Sequence, residues 1–121
     1  MKKKIILIDD DIFKKVLQAI LMQMGYEVLL ANEGSEGLDL MDEHGSEVAL
    51  ILLDMLMPGM DGLRFLTLLR KKGFDTKVMA MSSVNDPEVI EKVKALGVED
   101  YCVKPLGAET IKSKITEILG A

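Results

Sequence analysis

Three short apolar runs, Lys4 to Ile8, Val48 to Leu53 and Val78 to Met81, show no polar–apolar alternation, and each stops at polar residues. A strand with one wet face alternates, so runs of this kind predict strands covered on both faces. Between and after them, apolar residues recur at spacings of three or four: Ile12, Val16, Ala19, Ile20 and Met24; Leu38 and Met41; Leu63, Leu66 and Leu69. Each stripe predicts a helix with one buried face. A further helix is expected to open at Asp86-Pro87, a capping residue before a proline at the first helical position. It runs through Val89, Ile90, Val93 and Leu96 to Gly97, and a last helix carries Ile111, Ile115 and Ile118. With short strands at Glu27 to Leu30 and Asp100 to Val103, five strands alternate with five helices. Such alternation implies an α/β chain with a doubly wound parallel sheet.

The 121 residues suffice for one hydrophobic core, so residues 1 to 121 are expected to form a single domain with no effector domain among them. Fifteen basic against 20 acidic residues give a net charge of -5, which opposes direct binding to nucleic acid or insertion at an anionic membrane. The apolar run after the basic N-terminus ends at Asp9, too short for a signal-peptide core or a membrane span. One cysteine, Cys102, permits no intrachain disulfide, and one histidine completes no Cys/His zinc set. A reducing cytoplasm fits this usage.

In open parallel sheets ligands bind beyond the carboxyl ends of the strands. The first strand ends in Asp9, Asp10 and Asp11, the third in Asp54, the fourth in Ser82 and Ser83, and the fifth in Lys104-Pro105. All fall on one edge. In the flavodoxin-like strand order 2-1-3-4-5, strands one and three are neighbours and their acidic ends converge. Clustered carboxylates raise one another's pKa, and a hard divalent cation that prefers oxygen donors offsets the repulsion. Magnesium suits such a site, since it keeps free positions for a phosphoryl oxygen.

The ordered set Asp9-Asp10, Asp54 followed by Met57-Pro58-Gly59-Met60-Asp61-Gly62, then Ser82, Tyr101 and Lys104-Pro105, resembles the receiver domain of two-component response regulators over essentially the whole chain. The resemblance implies a five-stranded sheet in the order 2-1-3-4-5 with five helices. It implies Asp54 as phosphoryl acceptor, with Asp9, Asp10, Asp54 and the main-chain carbonyl of Leu56 around a magnesium ion. Lys104 and Ser82 would contact the phosphoryl oxygens, while Ser82 and Tyr101 would act as switch residues that remodel the surface of helix four, strand five and helix five. A cis Lys104-Pro105 bond is implied as well. The expected donors are a histidine kinase or histidine phosphotransfer protein, the expected target an unknown downstream protein, and the expected state a monomer or a phosphorylation-dependent dimer. Beyond its own phosphorylation and slow dephosphorylation no enzymatic activity is expected. Slow loss of the group is anticipated because Leu56 and Val84 are apolar where polar residues often assist the attacking water.

Other readings attach to the same residues. Acidic residues at Asp9, Asp10 and Asp11 also favour a following helix N-terminus, and capping is the role expected of Asp11. Met55, Met57 and Met60 read as packing, His44 as a structural residue at the end of the second helix, and Cys102 as a small buried side chain. Phe13 lies where a phosphodonor protein docks in the resembled family. A haloacid-dehalogenase-type phosphatase also uses strand-one aspartates, magnesium and a lysine, but it wants Asp-x-Asp followed by glycine and threonine, whereas Asp11 precedes Ile12 and Phe13. A phosphorylation-independent interaction module is the second alternative. A flavin carrier is a third, and no Ser/Thr/Gly-rich phosphate loop follows the first strand to support it.

Overall fold

The computed structural model describes residues 3–12, 14–56 and 60–120. Strands β1 (Lys4–Ile8), β2 (Glu27–Ala31), β3 (Val48–Asp54), β4 (Lys77–Ser82) and β5 (Asp100–Val103) alternate with helices α1 (Lys14–Gln23), α2 (Gly34–His44), α3 (Gly62–Lys71), α4 (Pro87–Lys94) and α5 (Ala108–Leu119). All strand pairs are parallel, in the order β2-β1-β3-β4-β5. This is the architecture expected from the sequence.

The apolar runs fail to alternate because both faces of the sheet are dry. Ile5 and Leu7 of β1, Leu50 and Leu52 of β3, and Met79 and Met81 of β4 pack with Leu21 of α1 and Ile111 and Ile115 of α5. Their neighbours Ile6, Ile8, Ile51, Leu53, Val78 and Ala80 pack on the other face with Leu38, Met41, Phe65, Leu66, Leu69 and Val93 of α2, α3 and α4. Side chains change face at every residue of a strand. Continued to the carboxyl edge, that period sends Asp9, Asp54 and Lys104 to the α1/α5 side, whereas Ser82 and Tyr101 belong to the α2–α4 side. The sheet thus sorts the charged residues from the two hydroxyl residues before any side-chain contact is considered.

The first helix departs from expectation. Ile12 precedes α1 and is 80% exposed, Val16 is 58% exposed and Ala19 is exposed, while Leu21 is fully buried and Leu17 half-buried. Two apolar stripes run side by side on this helix, about 100° apart per residue step, and the sheet takes the one through Leu17, Leu21 and Met24, of which Met24 alone belongs to the expected set. Leu63 of α3 and Val89 of α4 likewise face water, with Phe65 and Val93 carrying the packing in their place. His44 closes α2 as expected, and a short 3-10 turn, Gly45–Glu47, leads into β3. Cys102 is buried, and burial together with Asp100 pushes its thiol up to about 11, which suits a packing residue and not a redox sensor.

Candidate functional site

Apart from Tyr26, Tyr101 and Cys102, the buried polar or charged residues among those described are Asp9, Asp54 and Ser82. All three stand at the carboxyl edge of the sheet. Ionised carboxylates avoid such burial unless paired or bound to a metal. Here Oδ1 of each aspartate accepts a main-chain N–H two residues on, from Asp11 at 2.8 Å and from Leu56 at 3.0 Å. The ammonium of Lys104 spans the remaining oxygens, donating to Oδ2 of Asp9 at 3.3 Å and Oδ2 of Asp54 at 3.2 Å. It arrives there because β5 pairs with β4 in register and Lys104 follows one residue after the strand, its N–H donating to the Ser82 carbonyl at 2.8 Å. The Lys104-Pro105 bond is cis.

Burial raises the pKa of Asp54, and the proximity of Asp9 adds to that, against the lowering effects of the Leu56 N–H and Lys104. Burial alone would lower the pKa of Lys104, but Asp9 and Asp54 outweigh it and the ammonium is held above its ordinary value. The two carboxylates therefore favour the charged form of the lysine beside them.

Carboxylate oxygens of Asp9, Asp10 and Asp54 lie within 4.8 Å of one another, with Asp10 the exposed member. An all-oxygen, carboxylate-rich donor set with one open side fits a hard divalent cation such as magnesium and not zinc or copper. Leu56, whose carbonyl is the fourth expected ligand, lies two residues after Asp54 and is 53% exposed. Met57, Pro58 and Gly59 of the anticipated motif, and Phe13, lie outside the described residues.

Ser82 is fully buried and its Oγ accepts the Val84 N–H at 3.1 Å, which leaves the hydroxyl proton to donate elsewhere. Tyr101 turns inward, and its hydroxyl donates to the Val84 carbonyl at 2.9 Å. Both residues therefore grip the same residue of the β4–α4 loop, on its N–H and its carbonyl. No sequence pattern indicates Val84 as their shared point, because the contacts are to its main chain.

Gly62 opens α3 directly behind the Asp54 loop: its N–H donates to the Met55 carbonyl at 3.2 Å, and an added Cβ would stand 2.8 Å from the Met55 Cα. A backbone atom cannot swing aside. Gly62→Ala is expected to destabilise the fold by about 1–3 kcal/mol, read from the urea midpoint. A variant as stable as the native chain would contradict this packing. Asp61 caps the same helix by accepting the Arg64 N–H at 2.8 Å.

A cavity of about 580 Å³ adjoins the acidic cluster between α1 and α5, walled chiefly by Val16, Leu17, Ile20, Leu106 and Ile111 with Asp9 and Lys104 at one end. No helix among the described residues is long and apolar enough to cross a membrane.

The family described as "Response regulator receiver domain" matches residues 5–116. The chain is 30% identical over 118 residues to the chemotaxis protein CheY of Treponema pallidum, covering 96% of this chain and 82% of that one. It is 34% identical over 122 residues to the probable transcriptional regulator ycf27 of Cyanophora paradoxa, covering 98% of this chain and 48% of the relative. It spans about half the length of several such curated relatives. Among solved structures, chemotaxis protein CheY4 of Vibrio cholerae superposes with a TM-score of 0.89 at 27% identity, over 98% of this chain and 100% of the other.

Proposed function

The chain belongs to the response regulator receiver domain family of two-component systems, and on that premise we propose that Asp54 accepts a phosphoryl group in a magnesium-dependent reaction. The donor is a histidine kinase or a histidine phosphotransfer protein. The observation that carries this reading is the pair of buried carboxylates, Asp9 and Asp54, straddled by one lysine beside the exposed Asp10.

An Asp54 carboxylate oxygen attacks phosphorus in line. The donor's P–N bond breaks, its electron pair returns to the imidazole, and an acyl phosphate forms on Asp54. Asp9, Asp10, Asp54 and the Leu56 carbonyl would hold a magnesium ion, which would supply positive charge against the phosphoryl oxygens. Lys104 already sits at Oδ2 of Asp54 and transfers its donors to an incoming oxygen, and Ser82 donates its unused hydroxyl proton to another. No general base is needed, since the nucleophile reacts as its carboxylate.

Engagement of Ser82 by the phosphoryl group, together with Tyr101, changes the hold on Val84 and so biases the α4, β5 and α5 surface toward a downstream protein. Residues 1–121 act as one receiver unit in the cytoplasm, as a monomer or as a dimer formed on phosphorylation. Incubation with acetyl phosphate tests the reading: intact mass should show one phosphoryl adduct with magnesium and none in EDTA. An adduct that forms equally in EDTA, or none in either, contradicts it.

The exposed side chain of Leu56 and the half-buried Val84 offer no polar group to orient a hydrolytic water. After donor removal the adduct is expected to decay over minutes or longer, and Leu56→Asn should shorten its life. A native lifetime of seconds would contradict this.

A further inference from the structure

The two ends of α4 are held in different ways. At its C-terminal end, Arg70, next to last in α3, donates from Nε to the Leu96 carbonyl at 3.0 Å and from Nη2 to the Gly97 carbonyl at 3.1 Å. Its Nη1 donates to the Phe74 and Thr76 carbonyls, each at 3.0 Å. One guanidinium thus binds the turn after α4, where Gly97 has a φ of 81°, to the connection between α3 and β4. Its planar fork serves several acceptors at once, and its charge does not titrate in the usable pH range. Val93 is fully buried just before this turn, and Leu96 and Val98 pack against the same core.

At the N-terminal end, Asn85, Asp86, Pro87, Glu88 and Val89 are all exposed. Asp86 caps the helix from within, accepting the Glu88 N–H at 2.9 Å. The hydrogen-bonded hold on the body of the domain comes at Val84, from Ser82 and Tyr101, with Ile90 one turn into the helix packed against the core.

We propose that Arg70 is the fixed pivot of α4, a positioning residue that confines movement to the N-terminal end of the helix when the phosphorylation site changes. The inference rests on the phosphoacceptor reading above. The helix is about 12 Å long, so its two ends can respond separately. Rearrangement at Ser82 and Tyr101 acts through hydrogen bonds on Val84, whereas displacement of the far end requires the charge-assisted bonds from Arg70 to Leu96 and Gly97 to break together. Without the pivot, the same rearrangement carries the whole helix and the start of β5.

Amide hydrogen exchange of the full chain, read by mass spectrometry with and without acetyl phosphate and magnesium, tests this on the native protein, Arg70→Met and Arg70→Lys. In the native protein, phosphorylation should change exchange over residues 83–90 by about fivefold or more and over residues 94–98 by less than about twofold. In Arg70→Met the change over 94–98 should approach that over 83–90, with Arg70→Lys between, because one ammonium cannot serve all four carbonyls. If Arg70→Met does not fold, Arg70→Lys and the native pattern decide the matter. A native change that is uniform along α4 overturns the pivot. So does a variant whose residues 94–98 exchange faster by the same factor with and without the phosphoryl group, since a purely structural clip would act that way. Intact mass of the same samples separates the two ideas. No adduct on the native chain overturns the phosphoacceptor reading and the pivot that depends on it, whereas an adduct with the wrong exchange pattern overturns the pivot alone.

Discussion

Replacing Lys104 by methionine is expected to destabilise the metal-free protein at neutral pH by about 1–3 kcal/mol. Breaking a buried ion pair costs about 3–5 kcal/mol when the surviving charge has no water, and here the lysine side chain is 27% exposed, which reduces the figure. The cost arises in the carboxylates left behind: Asp9 and Asp54 keep one main-chain N–H each but lose their shared counter-charge. Three consequences follow for urea unfolding, the first two in a chelating buffer and the third on adding magnesium in its place. The deficit narrows on acidification, as Asp54, whose pKa burial raises, takes up its proton. It narrows in Lys104→Met carrying Asp54→Asn as well, a non-additivity that reports the direct pairing. Magnesium then stabilises Lys104→Met more than it does the native protein. The pair also sets an alkaline limit: because the folded-state pKa of Lys104 lies above its ordinary 10.5, its contribution is complete below that value and is lost as pH rises through the raised one. Full additivity of the two substitutions would mean that Lys104 does not hold Asp54.

Asp54→Asn has the opposite sign. The folded state raises the pKa of Asp54 above its ordinary 3.8, mainly through burial, so the stability linked to its proton is present below the ordinary value and lost as pH rises through the raised one. At neutral pH the native chain therefore carries a carboxylate that its site disfavours, and asparagine relieves it. The gain should appear as a higher urea midpoint for Asp54→Asn than for the native chain in chelator. The advantage of Asp54→Asn should be greatest near neutrality and vanish as pH falls through the raised value toward the ordinary carboxylate range. Magnesium should shrink it by stabilising the native carboxylates. An Asp54→Asn protein less stable than the native chain in EDTA at neutral pH would contradict this account.

How far the sequence discloses this arrangement differs from element to element. Runs such as Val48 to Leu53 reveal a strand dry on both faces because composition alone carries the signal, and the period of two then places Asp9, Asp54 and Lys104 together on one side. The edge ladder, from Asp9 through Asp54 and Ser82 to Lys104, was legible for the same reason. The rotation of α1 was not: Ile12 and Val16 form as good a stripe as Leu17 and Leu21, and only the shape of the sheet chooses between them. Contacts to main-chain atoms leave no pattern at all. Arg70 reads as one more basic residue at a helix end, and Val84 draws notice in the sequence only for its apolar side chain, yet the first meets four carbonyls and the second is held at both its N–H and its carbonyl.

The residue proposed to take the phosphoryl group can be identified chemically. Treatment of the phosphorylated chain with borohydride reduces an acyl phosphate on aspartate to the alcohol of homoserine, which peptide mapping locates. Homoserine at position 54 in the native chain, absent from Asp54→Asn and from samples prepared in EDTA, is the predicted result. Homoserine at Asp9 or Asp10, or a stable adduct on any other residue of the native chain, would contradict it.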